Sequence, residues 1–311
     1  MARAQNPRLG IWLMISASAV FAMQDAMSRH LAGASNVYMV VAIRFWVMAL
    51  VVIALAARGN GGLRAAMRSQ RPLLQLVRGV LLIAEIVVTI EAFVKLGLIE
   101  THAVFVCHPL LATTLSVVIL GERVGWRRWL AVLVGFAGVL VILQPGGQVF
   151  SLWSLVPFVA AFMFALYGVL TRLVGRSDPA SVSFFWLGTV GAIAITPLGI
   201  WHWESLSPPD WALMALLCVA AMVSHWLLIR AYEVAEASEV QPFAYFQLPF
   251  VALLGFLLFD ETLRVEVPVG AAMVVGAGLF TFWRQRVRER QAARADSAIP
   301  AAVPDPAGPG T

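Results

Sequence analysis

The chain has 311 residues, 60% of them hydrophobic and only 13% charged. Soluble domains run to roughly 45–50% apolar and about 25% charged, so this composition excludes a soluble globular protein and points to a polytopic membrane protein. The net charge of +5 does not mark a nucleic-acid binder, because the basic residues sit in short loops between apolar runs and no recognition motif accompanies them.

A helix needs roughly 20 apolar residues to cross the bilayer core. In chain order this length predicts ten spans, over 9–30, 36–57, 73–96, 99–120 and 124–143, then over 152–172, 180–201, 210–231, 237–259 and 265–283. All are expected to be helical, since backbone groups in lipid must be satisfied within the segment, and the runs are too uniformly apolar for barrel strands. Arg3 and Arg8 precede the first run, and Ala17-Ser18-Ala19 resembles a signal-peptidase site. The apolar stretch continues through Val20, Phe21 and Met23, so it reads as a retained helix. Gln144-Pro145-Gly146-Gly147 is a turn that ends the first half. Residues 285–311, alternating Arg and then rich in Ala, Pro and Gly, read as a disordered tail.

Orientation follows from the basic residues. With a cytoplasmic N-terminus, Arg58, Arg64, Arg68, Arg71, Arg123, Arg127 and Arg128 fall inside with nearly all other loop arginines, and only Arg29, Lys95 and Arg264 fall outside. This is the positive-inside bias, and dropping one span would reverse every later loop. Both termini are therefore predicted to be cytoplasmic.

The runs 92–122 and 231–261 read alike. Ala92 matches Ala231, Phe93 matches Tyr232, Glu100 matches Glu239 and Glu122 matches Glu261 at one constant offset. Each copy belongs to a half with an odd number of spans, so the halves are expected to be inverted relative to each other, as in alternating-access transporters.

Several local features carry a family resemblance. Gly121-Glu122-Arg123 and Asp260-Glu261-Thr262 end the fourth and ninth spans, small residues recur over 131–138 and 270–278, and Arg44-Phe45 lies in the second span. With the stretch from Arg230 to Leu248, these features resemble the drug/metabolite transporter superfamily, in particular its ten-helix EamA-like members. The resemblance implies an all-α integral membrane fold: two inverted five-helix repeats, over 9–143 and 152–284, forming a basket around a central cavity. It also implies a bacterial cytoplasmic (inner) membrane location and movement of a small metabolite of the amino acid, nucleotide-related or vitamin class.

A charge near the bilayer centre costs at least about 2.5–3.5 kcal/mol, so an ionisable residue there needs protein, water or a partner. Asp25 and Arg44 lie at similar depths in consecutive spans and are expected to pair, as a structural ion pair or as a gate. Glu85 sits mid-span in an apolar stretch and is a candidate proton carrier. His108, beside Pro109, and Gln247, close to Pro249, occupy equivalent positions in the two repeats. Proline opens a helix there, so both are expected to face the central site. His225, Trp226 and Tyr245 complete the candidate substrate-binding set, on the ground that aromatic groups suit a flat metabolite.

These residues point to a multi-pass transporter of a small metabolite that works by alternating access. Its partners are the substrate, the lipid bilayer and protons as a coupling ion. A lipid or amphiphile flippase is the rival reading and would need a lateral opening with a basic rim. There is no His-Glu-x-x-His metal motif and no Gly-x-Ser-x-Gly elbow, so no enzyme, metal site or cofactor is expected. Cys107 and Cys218 read as packing residues. No heptad or isolated small-residue face encodes an oligomeric state.

Overall fold

The computed structural model describes residues 6–59, 61–121, 126–143, 152–175, 177–234, 243–262 and 264–297. Among them every regular element is helical. The first half runs α1 (Pro7–Ala34), α2 (Val37–Arg58), α3 (Gly62–Met67), α4 (Pro72–Leu96), α5 (Leu98–Phe105), α6 (His108–Leu120) and α7 (Trp126–Leu143). The second runs α8 (Val156–Gly175), α9 (Ala180–Trp201), α10 (Pro208–Val234), α11 (Gln247–Phe259) and α12 (Glu266–Ser297). Seven described stretches are long and apolar enough to cross a membrane: those in α1, α2, α4, α8, α9 and α10, and α5 with α6 taken together. Trp129–Ile142, Gln247–Phe259 and Glu266–Phe280 form shorter apolar helices.

Local chemistry sets the first boundaries. The side-chain oxygens of Asn6 and Asn36 accept from the Leu9 and Met39 amides at 3.1 and 2.9 Å, capping α1 and α2. Pro7 and Pro72 begin α1 and α4, where a missing amide hydrogen costs nothing.

The span expected over 99–120 is interrupted. Val106 and Cys107 form a turn between α5 and α6, just ahead of Pro109. Proline cannot donate to the carbonyl four residues back, and that carbonyl, Phe105 O, instead lies 3.1 Å from His108 Nδ1. A second turn, Tyr245–Phe246, precedes α11 and Pro249. Gly121 (φ 70°) and Asp260 (φ 52°) both leave their helices in the left-handed region. The Glu122 and Glu239 members of the sequence repeat, the 144–147 turn and residues 298–311 lie outside the described residues.

The tail differs from expectation. Helix α12 continues through residues 285–297, where composition predicts a disordered segment. Ten of its thirteen residues are Arg, Gln, Glu or Ala and none is Gly or Pro, and such residues extend a helix that the apolar part has already nucleated.

Helix α1 packs chiefly on α10 and α11, α2 on α9, α4 on α8 and α9, α6 on α8, and α7 on α12. Small residues allow the close approaches. A Cβ on Gly138 would stand 2.7 Å from the Gly270 carbonyl oxygen, so α7 and α12 cross with their backbones in contact. Phe45, Leu82, Ile83 and Ile195 fill one core between α2, α4 and α9, while Leu50, Leu55, Ile200 and Leu257 stay exposed on an apolar outer surface. That surface is what a lipid-facing belt requires.

Candidate functional site

Between α1, α4, α10 and the two interrupted segments lies a cavity of about 210 Å³. Its wall carries the rings of Phe21, Phe93, Phe105, Phe164 and Tyr245, and its polar groups include Asp25, Arg44, Glu85, His102 and Gln247.

Asp25 does not form the expected ion pair with Arg44. Its Oδ2 accepts from Gln247 Nε2 at 2.9 Å and lies 3.1 Å from His102 Nε2. The other ring nitrogen, His102 Nδ1, is 3.1 Å from the Leu98 carbonyl, and the ring stacks on Phe93 at 5.0 Å between centroids. The physical reason is packing: α1 leans on α10 and α11, so Asp25 faces α5 and α11 rather than the helix that follows it in sequence. Arg44 is only 6% exposed. It lines the cavity and forms no hydrogen bond or ion pair among the described residues. Glu85 is 3% exposed, and its Oε1 accepts from Thr89 Oγ1 at 2.7 Å.

Gln247 and His108 both line the cavity, but their bonds differ. Gln247 bridges to Asp25, whereas one His108 nitrogen serves the carbonyl freed beside the proline. His225 lines the cavity with Nδ1 2.8 Å from the Ala221 carbonyl and its ring edge-on to Phe21. Trp226 is a correction: it is 58% exposed and turned away. Successive helical residues point about 100° apart, so a helix that aims His225 inward sends its neighbour outward. Tyr245 lines the cavity and its hydroxyl packs against Gly278, where a Cβ would collide with it.

His102 is a cavity residue that no motif in the sequence singles out. Its depth near the outer end of the fourth span, comparable with that of Asp25 in the first, was the available signal.

The family model for the EamA-like transporter family matches twice, over residues 8–144 and 151–283. The chain belongs to the EamA-like transporter family.

This EamA-like protein is 30% identical over 305 residues to a riboflavin transporter of Vibrio cholerae, covering 94% of this chain and 99% of the relative. It is 28% identical to a riboflavin transporter of Brucella anthropi over 77% of this chain and 87% of that one. An S-adenosylmethionine uptake transporter of Rickettsia prowazekii is 23% identical over 88% of this chain and 92% of its own. A solved protein crystal structure superposes with a TM-score of 0.60 over 88% of this chain and 96% of its own at 20% identity, which speaks for the fold alone. The protein is thus a multi-pass membrane transporter of a small molecule and not an enzyme.

Both ends of this EamA-like transporter are tied by charged clusters. At one end Glu261 accepts from the Leu98 and Ile99 amides at 2.7 and 2.9 Å, capping α5, and pairs with Arg29. Gly97, at φ 95°, brings the chain against that carboxylate, and the Arg29 guanidinium lies 4.0 Å from the centre of the Phe259 ring. A carboxylate at a helix N-terminus satisfies free amides and complements the helix dipole. At the other end Asp178, between α8 and α9, accepts from the Ser69 hydroxyl, from Gln70 N at 2.8 Å and from Gln75 Nε2 at 2.9 Å. Burial opposes the charge on Asp178, but these donors, with Arg71 nearby, hold the carboxyl below its usual range. Arg78, 2% exposed, extends the cluster to Gln75, Thr171 and the Ser183 carbonyl and lies over the Tyr167 ring. In the sequence the only signal for Arg78 is its i, i+3 spacing from Gln75, which puts two polar groups on one helix face.

Proposed function

We propose that this protein carries a flat heteroaromatic metabolite of the riboflavin class across the bacterial cytoplasmic membrane. The observation that carries this reading is the cavity, a ring-lined wall with a few hydrogen-bonding groups held at its polar points. Stacking and sparse polar contacts suit a planar heterocycle. The riboflavin transporters among its relatives support the same class.

Transport proceeds by alternating access, with 9–143 and 152–284 acting as inverted five-helix repeats and both termini cytoplasmic. The arginine bias supports the orientation. Helix pairing supports the repeat: exchanging α1 for α8, α4 for α10, α6 for α11 and α2 for α9 converts α1–α10 into α8–α4, α1–α11 into α8–α6, and α4–α9 into α10–α2. The Arg29–Glu261 cluster then closes the periplasmic end and the Asp178 cluster the cytoplasmic end. Glu85, buried beside the cavity, carries the coupling proton in this scheme.

The test is uptake of radiolabelled riboflavin into proteoliposomes, with and without a proton gradient, and with S-adenosylmethionine as competitor. Saturable riboflavin uptake that an uncoupler abolishes is the expected outcome. Uptake of S-adenosylmethionine alone, or flipping of a labelled lipid without riboflavin uptake, overturns the substrate reading. Riboflavin uptake indifferent to the uncoupler removes the proton role.

A further inference from the structure

Arg44 is buried at 6% exposure, yet no hydrogen bond or ion pair within the described protein uses its guanidinium. Its guanidinium carbon lies 5.9 Å from the ring centroid of Phe45 on the same helix. Arg44 lines the cavity and, beside Phe45 and His225, a smaller neighbouring pocket. A buried charge without a hydrogen-bonding partner costs several kcal/mol, and a ligand that supplies the partner recovers that cost.

The carboxyl groups whose charge acts on Arg44 are Asp25 and Glu85, and the Cys218 thiol also bears on it. Asp25 is already engaged by Gln247 and His102. Glu85 is engaged through one oxygen, by Thr89, its second oxygen has no hydrogen-bond partner among the described residues, and the residue lines the same cavity. A guanidinium only donates, and a carboxyl oxygen accepts. The cavity wall therefore carries donors and an acceptor that no group among the described residues engages, set among aromatic rings on residues that are otherwise buried.

We propose that Arg44 and Glu85 are the specificity pair that reads the hydrogen-bonding edge of the substrate's heterocycle. Arg44 donates to a ring carbonyl, and Glu85 accepts from the ring N–H next to that carbonyl. The substrate class is a planar heterocycle with an imide or lactam edge, as in the pyrimidinedione part of riboflavin. This assignment rests on the transport reading above and names the atoms by which it selects. Arg44 is thereby a substrate ligand in place of the expected partner of Asp25.

The experiment titrates the purified, detergent-solubilised protein with riboflavin and with N3-methylriboflavin, following quenching of flavin fluorescence. The unaltered protein binds riboflavin at least about tenfold more tightly than the methylated compound, the loss expected of a hydrogen bond to a charged group. Arg44→Ala and Glu85→Ala each weaken riboflavin binding at least about tenfold. Glu85→Ala no longer distinguishes the two flavins. Arg44→Lys recovers only part of the loss, because an ammonium lacks the planar fork of donors. Equal binding of both flavins by the unaltered protein overturns the assignment and leaves the transport reading standing. A full methylation penalty in Glu85→Ala does the same. No flavin binding at all overturns the transport reading and this one with it. The methyl comparison uses the unaltered protein, so it decides even where a variant fails to fold.

Discussion

Gln247 on α11 donates to Asp25 on α1 across 2.9 Å, and that bond joins the two family-matched halves at the cavity wall. Residues in one hydrogen-bond network couple by roughly 0.5–3 kcal/mol in double-mutant cycles. We expect Asp25→Ala and Gln247→Ala to couple within that range, and Asp25→Ala with Arg44→Ala to couple less. Denaturant unfolding of the four-member cycles in detergent measures both. Stronger coupling of Asp25 to Arg44 would restore the simple ion pair.

Glu261 caps α5 and holds Arg29, so its loss should loosen that end of the cavity. Glu261→Ala removes an N-terminal cap, a loss of about 0.5–2 kcal/mol, and about 1.4 kcal/mol corresponds to a tenfold change in an equilibrium. The expected result is faster labelling, up to about tenfold, of a cysteine introduced at Ser28, in a background lacking Cys107 and Cys218. Unchanged labelling would mean that the cluster does not close this end.

Asp178 gives a pH dependence with a definite sign. Its folded-state carboxyl is held below the usual range, so the cluster contributes stability at and above the ordinary carboxylate pKa of about 3.9. That contribution is lost as pH falls through the lower folded-state value. We expect the Tm in detergent to drop below about pH 4, and Asp178→Asn to lower it at neutral pH while flattening the acid limb. An identical acid limb in the variant would assign the effect elsewhere.

The α7–α12 crossing depends on glycine. A Cβ at Gly138 meets the Gly270 carbonyl at 2.7 Å and the Met273 Cβ at 2.8 Å. Gly138→Leu should cost about 1–3 kcal/mol or more by overpacking, seen as a lower Tm and reduced yield of folded protein. Gly168, with nothing within 4 Å of a built Cβ, is the control and should tolerate alanine.

Trp226 and Tyr245 should separate cleanly. Trp226 lies exposed on the outer surface, so Trp226→Ala should leave uptake within about twofold, the scale of a surface substitution. Tyr245 lines the cavity, so Tyr245→Ala should reduce uptake strongly in the same proteoliposome assay.

Hydropathy identified the membrane class and the placement of most helices, because lipid enforces long apolar runs whatever the neighbouring helices do, while the turn motifs and small-residue stretches carried the family resemblance. Pro109 likewise marked the break between α5 and α6, since a missing amide hydrogen acts within a single helix. The partner of Asp25 was not legible. It depends on which helix faces which, and α1 turned out to lean on helices far away in sequence. Trp226 failed for a related reason: a residue type suited to binding reveals nothing about which way its helix is rotated.

The sequence alone determined that this chain is an all-helical membrane transporter of the EamA-like kind, through composition, span length and motif. Tertiary structure alone decided the contents of the site. It tied Asp25 to His102 and Gln247, set Glu261 on the start of α5, and left Arg44 buried at the cavity wall. The reason is physical. Crossing the bilayer is a local requirement that each segment meets by itself, whereas hydrogen-bond partners are chosen by the rotation and packing of helices, to which every segment contributes.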